Sequence, residues 1–171
     1  TAANLIINRI GGIDEINRRF KSIGLSSTTL KSYFPDTKGL NTTSSKDLVL
    51  AIALIDRGSF LSPKSRDIFR EIMSTSTSNK LIPTTLLRTF SNSSEDIDYN
   101  LLIKGYRVYN KSGDNGYSFG DAALIQLPDS SRIAASFLVK GPLNDPRSPA
   151  VIKQLIKDMI QAINKPQNYQ P

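Results

Sequence analysis

Cysteine and histidine are both absent from this chain of 171 residues. Without cysteine there is no structural disulfide, no thiol nucleophile and no Cys/His zinc site. Without histidine there is no imidazole general base, so a Ser-His-Asp hydrolase cannot be built from these residues. Acyl-transfer chemistry here must use lysine or a carboxylate as its base. Long apolar runs are also missing: none approaches the ~20 residues that span a bilayer. No basic-then-apolar leader is present, so no segment of this chain addresses it to a compartment, and membrane association is left open. Clustered charge is scarce too. The net charge is +7 and the pI about 9.7, yet the 22 lysines and arginines are scattered, with Arg18-Arg19 the only adjacent pair. A nucleic-acid surface would show a stripe or interleaved aromatics. No nucleic-acid partner is expected, and no metal or other cofactor; a basic envelope-surface or nucleic-acid-binding protein is the weakest reading.

What is present is an ordinary globular composition, 39% hydrophobic and 22% charged, long enough for one domain with its own core. Ala2, Leu5, Ile6, Ile10, Ile13, Ile16, Phe20 and Ile23 recur at spacings of three and four. They predict two helices broken at Gly11-Gly12, with Asp14 and Glu15 in the second helix's first turn. Residues 24–43 are polar and read as a loop. Ser44 or Ser45 caps a helix running to Gly58, and Ser62-Pro63 opens another with Ile68, Phe69, Ile72 and Met73 on its apolar face. Residues 91–98 read as a solvated insertion.

From Tyr106 the period changes to two, with Tyr106, Val108 and Asn110 facing one way and Arg107 and Tyr109 the other. Turn signals at Asp114-Asn-Gly-Tyr and Pro128-Asp-Ser-Ser separate strands at 122–127 and 132–139. Pro149 to Ile163 is amphipathic and predicts a terminal helix. The order predicts an α+β domain: helices, a three-stranded antiparallel meander, and a C-terminal helix on the one covered face of the sheet.

Lys111-Ser112-Gly113 closes the first of these strands. A lysine supplies fixed positive charge, a hydroxyl binds a substrate carboxylate, and a glycine leaves the backbone open for substrate to lie along the strand. The bland alternative is a strand end with its lysine in solvent.

The surroundings favour the first reading. Thr1-Ala-Ala-Asn-Leu-Ile-Ile-Asn-Arg-Ile-Gly-Gly12 resembles the helix that follows the Ser-Asp-Asn motif in the class A serine β-lactamase and penicillin-binding (D,D-peptidase-like) superfamily. Asn41-Thr-Thr-Ser-Ser-Lys-Asp-Leu48 resembles the segment closing that family's omega loop. Lys111-Ser-Gly-Asp114, Gly120-Asp-Ala-Ala-Leu-Ile125 and Ser131-Arg-Ile-Ala-Ala135 resemble its last three strands in order, and Asn144-Asp-Pro-Arg147 the start of its last helix. The resemblance implies one partial β-lactamase-like domain over 1–171, corresponding to the family's C-terminal portion. Residues 1–90 would be its helical part with a shortened omega-type loop, and 106–163 its sheet and terminal helix.

Carried over residue by residue, the resemblance assigns Lys111 to the electrostatics of catalysis and the Asp114 backbone N–H to an oxyanion hole. It assigns Ser112 and Gly113 to substrate binding. Arg132 either grips the same carboxylate or is an exposed strand start; Arg147 reads as a helix-start residue with a structural ion pair. The family's set is a Ser-x-x-Lys, a Ser-Asp-Asn and a Lys-Ser/Thr-Gly, with a glutamate for deacylation. Only the last box is present. Between Leu30 and Asn41 there is no glutamate; Phe34, before Pro35, takes its place, and Asp36 is the only acid nearby. The implied function is serine hydrolysis or acyl transfer on a β-lactam through a seryl ester, in a fragment that lacks the nucleophile and is inactive alone. The alternative is a non-catalytic or D,D-peptidase-like relative acting on peptidoglycan peptide. Family membership implies a periplasmic or envelope location.

Overall fold

The protein is described by a computed structural model over residues 1–74, 81–91 and 105–164. The first two helices, α1 (Ala2–Ile10) and α2 (Gly12–Ser22), meet at Gly11, whose φ of 116° is left-handed and suits glycine. The Thr1 hydroxyl caps α1 by accepting the Asn4 N–H at 3.3 Å. Helix α3 (Ser45–Arg57) starts on the Ser44 hydroxyl, which accepts the Asp47 N–H at 3.1 Å, and stops at left-handed Gly58. Helix α4 (Pro63–Ser74) has Ser62 as its cap, accepting from the Ser65 N–H at 3.2 Å. The bounds of α3 and the start of α4 follow from the caps read in the sequence.

Helix α5 (Ile82–Ser91) precedes strands β1 (Arg107–Asp114), β2 (Ser118–Gln126) and β3 (Arg132–Lys140), and α6 (Arg147–Asn164) follows them. The expected insertion at 91–98 lies, apart from Ser91, outside the described residues. The three strands form an antiparallel meander in the order β1-β2-β3. Strand β2 begins at Ser118, four residues ahead of the predicted start, because Phe119 to Asp121 pair with both neighbours and Ser118 with β3.

Period-two alternation divides the sheet's side chains between two cores. Val108, Ala123, Ile125 and Ala135 pack with Leu81, Ile82 and Leu86 around α5 and with Ile152, Ile156 and Ile160 of α6. Tyr109, Ala122, Leu124 and Ala134 meet Ile52 of α3 and Met73 of α4. Helices therefore cover both faces, where the sequence pattern predicts one. The apolar stripes of α3 and α4 do not specify which surface receives them, and only the folded chain brings them to the sheet. Their cover is thinner: α4 has no fully buried residue, and its predicted apolar face splits, Ile68 and Ile72 facing solvent while Phe69 and Met73 turn inward.

Candidate active site

An open cleft of about 430 Å³ lies between α3, α4 and the β1–β2 face. Leu48, Ile52 and Ile55 of α3 and Phe69 and Met73 of α4 supply an apolar wall. Lys111, Ser112, Gly113 and Asp114 supply the polar side, with Gly120, Asp121 and Ala122 beside them on β2. The fold thus brings together four of the five residues singled out in the sequence.

Lys111 is exposed, and its Nζ donates a short hydrogen bond to the carbonyl oxygen of Ser112. Ser112 is buried, opposite Asp121 in register. Gly113 faces open space: a Cβ built there would meet no atom within 4 Å. The carboxylate of Asp114 accepts from the Gly116 N–H at 3.1 Å and the Asn144 N–H at 3.3 Å, tying the hairpin end to the loop before α6.

Arg132 is the residue that the fold does not bring here. It stands six residues along β3 from Leu138, which pairs with Gly120, putting it roughly 20 Å from the box at the usual rise per residue. Its Nε bonds Asp56 at 2.8 Å, and Arg70 holds the other oxygen of the same carboxylate at 2.8 Å. The expected carboxylate grip is replaced by a structural ion pair. Arg147 keeps its expected role, paired with Asp145 at 2.7 Å.

Residues 24–43 form a loop, and side chains hold most of it. The Asn4 amide clamps Phe34, donating to its carbonyl at 2.6 Å and accepting its N–H at 2.8 Å. Asn17 does the same to Leu30 at 2.8 Å for both bonds. Asp47, 1% exposed, accepts from the Ser27 N–H at 2.8 Å and the Thr28 hydroxyl at 2.7 Å. Burial opposes its charge, but these bonds outweigh burial and hold the carboxyl below its ordinary range.

The Phe34–Pro35 bond is cis, and Asp36 turns into the loop, accepting the Asn41 N–H at 2.7 Å. Asp36 does not line the cleft. On the hairpin side, Tyr117 lies against Gly39, where an added Cβ would approach its ring carbons to 2.8 Å, and its hydroxyl donates to the Thr37 carbonyl at 2.9 Å. None of these clamps was legible beforehand, because an asparagine in a helix carries no mark of a partner 30 residues away. Asp121 did leave a signal, a charge inside an apolar strand segment.

Comparison with known proteins agrees with this fold. A family model described as the β-lactamase enzyme family matches residues 1–163. The solved structure of PBP-A superposes with a TM-score of 0.81 at 36% identity, over 96% of this chain and 56% of that one. A mutant of PBP-A solved as an acyl-enzyme complex with penicillin G gives the same values. The chromosome-encoded β-lactamase of Vibrio parahaemolyticus shares the fold at a TM-score of 0.71 and 20% identity, over 96% of this chain and 60% of that one. A search of curated proteins finds no match. The chain spans about 56–60% of the length of these solved structures. Matched over nearly its whole length, the chain belongs to the β-lactamase enzyme family.

Proposed function

We propose that this chain forms the carboxylate-binding side of a penicillin-recognising serine acyltransferase whose nucleophile is supplied from outside these 171 residues. The observation that carries the reading is the Lys111-Ser112-Gly113 edge on an open cleft, with nothing above Gly113. Lys111 supplies positive charge for the substrate carboxylate and the developing oxyanion, Ser112 a hydroxyl for the carboxylate, and the Asp114 N–H one oxyanion donor. Gly113 lets the substrate amide lie along β1. The nucleophilic serine attacks the β-lactam carbonyl and forms a seryl ester as the ring C–N bond breaks.

The omega-type loop favours the penicillin-binding form of this chemistry over rapid hydrolysis. Phe34 occupies the place of the expected glutamate, and the one nearby acid, Asp36, is spent on the Asn41 N–H inside the loop. With no carboxylate holding a hydrolytic water, the ester persists. The natural substrate on this reading is a cell-wall peptide, and the protein works in the bacterial envelope.

The test uses the polypeptide that carries this chain, as the cell makes it. A fluorescent penicillin is expected to label it covalently, and the label to survive a chase of minutes. Rapid loss of label would show that a water is positioned after all, and no labelling of folded protein would remove the acyltransferase reading.

A further inference from the structure

The turn between β1 and β2 carries chemistry that substrate binding leaves unused. It holds the one Asn-Gly pair of the sequence, Asn115-Gly116. Asn115 is exposed and lines the cleft beside Asp114. Its Oδ1 accepts the N–H of Tyr117 at 3.0 Å, the N–H of Ser118 at 2.9 Å and the Ser118 hydroxyl at 3.3 Å. The Gly116 N–H donates to the Asp114 carboxylate at 3.1 Å, while the other oxygen of that carboxylate is held by the Asn144 N–H at 3.3 Å. Gly116 has a φ of 83°, and a Cβ built on it would meet Leu143 at 3.7 Å.

These contacts surround one amide carbon with what an internal attack requires. N–H groups donated to a carbonyl oxygen draw charge from its carbon and stabilise an oxyanion forming there. A carboxylate hydrogen-bonded to the attacking N–H stands within the reach of a general base. Glycine puts no side chain in the way of the five-membered ring that results, where any other residue would crowd it.

We propose that Asn115-Gly116 is a self-modifying site, at which the fold promotes deamidation with Asp114 as the base and sets a new negative charge on the rim of the cleft. The Gly116 nitrogen forms a bond to Asn115 Cγ, and its proton passes by way of the Asp114 carboxylate to Nδ2. The Cγ–Nδ2 bond then breaks and ammonia leaves. Solvent water opens the succinimide at Cγ to give aspartate, or at the Asn115 main-chain carbonyl carbon to give isoaspartate with a longer backbone. Either product exchanges a neutral amide for a carboxylate on the cleft that Lys111, Ser112 and Gly113 line. The modification is independent of the penicillin-binding reading; only its effect on labelling rests on it.

The test follows the polypeptide that carries this chain through days at mildly alkaline pH, folded and in denaturant, by peptide mass spectrometry. In the folded protein the Asn115 peptide is expected to take on the mass of an acid in place of an amide, as separable aspartate and isoaspartate forms. Folded Asp114→Ala is expected to convert about tenfold more slowly, below the usual range for a positioned base because this one is exposed to solvent. In denaturant the two proteins are expected to convert alike. Folded native protein that stays unconverted while the denatured chain converts overturns the inference, and so does equal conversion of native and Asp114→Ala when both are folded. Converted protein, and Asn115→Asp, are expected to label with fluorescent penicillin about threefold more slowly, the effect of one exposed charge of the substrate's sign at close range in water. Labelling at the native rate overturns the effect on the site. No labelling of any form removes the penicillin reading and leaves the mass result to decide the modification.

Discussion

Lys111 and Arg132 carry the same charge on the same sheet, and their surroundings give them different work. Lys111 stands at the cleft with its ammonium on the Ser112 carbonyl, whereas Arg132 is committed to Asp56. In the polypeptide that carries this chain, Lys111→Ala is expected to slow labelling by a fluorescent penicillin roughly ten- to a hundredfold. Losing a charge-assisted contact costs about 1.5–3 kcal/mol, and each ~1.4 kcal/mol is a factor of ten in rate. Its melting temperature is expected to stay nearly constant. Arg132→Ala is expected to cost about 1 kcal/mol of stability or less, since the pair is partly solvated, and to leave labelling per folded molecule unchanged. A tenfold loss of labelling in Arg132→Ala would return that arginine to the site. At this scale residue type and strand position marked the box only as a candidate, and the resemblance of the segments around it favoured a site over an exposed strand end. It misplaced Arg132, because a basic residue after a turn looks the same whether it meets substrate or an aspartate from α3.

Two glycines on paired strands show how differently one residue type serves an element. Gly113 and Gly120 are register partners, yet a Cβ on Gly113 meets nothing while one on Gly120 comes within 2.7 Å of the Phe137 carbonyl and 2.4 Å of Leu138. Gly113→Ala is expected to leave stability unchanged or raise it by about 0.5–1 kcal/mol, as for glycine replaced within a strand, while slowing acylation by filling the space along β1. Gly120→Ala is expected to destabilise by about 1–3 kcal/mol through overpacking. Denaturant unfolding and labelling of the same two variants separate these roles. The reverse pattern would mean that Gly113 is a packing residue and not an opening for substrate. Helices α1 and α2 were legible from their apolar period and the Gly11-Gly12 break, and α3 and α4 from the serines that cap them. The start of β2 was not, because glycine and aspartate, both poor strand formers, hold Gly120 and Asp121 by tertiary pairing. Helix α5 was hidden in a stretch whose Pro-Thr-Thr at 83–85 masks its period.

Across the whole molecule, packing is uneven. The α5–α6 side of the sheet has a continuous buried core, while Leu5, Ile6, Phe60, Ile72 and Leu143 are each more than half exposed. That is why activity measurements belong to the polypeptide that carries the chain. The side-chain pins of the 24–43 loop and the contact of Tyr117 with Gly39 and Thr37 have a dynamic consequence at this scale. Segments 80 residues apart are fastened by one ring and one hydroxyl, so they form a cooperative unit that opens in a single event. Amides across 25–43 and those at 115–118 are then expected to exchange with one shared opening free energy, measured by native-state hydrogen exchange. Tyr117→Ala is expected to split them into two independent classes, the loop still held by Asn4, Asn17 and Asp47, the hairpin left to the loop before α6. If the two segments already exchange independently in the native protein, the ring is a passive neighbour. If they exchange together, one tyrosine sets how often the loop and the hairpin turn come apart.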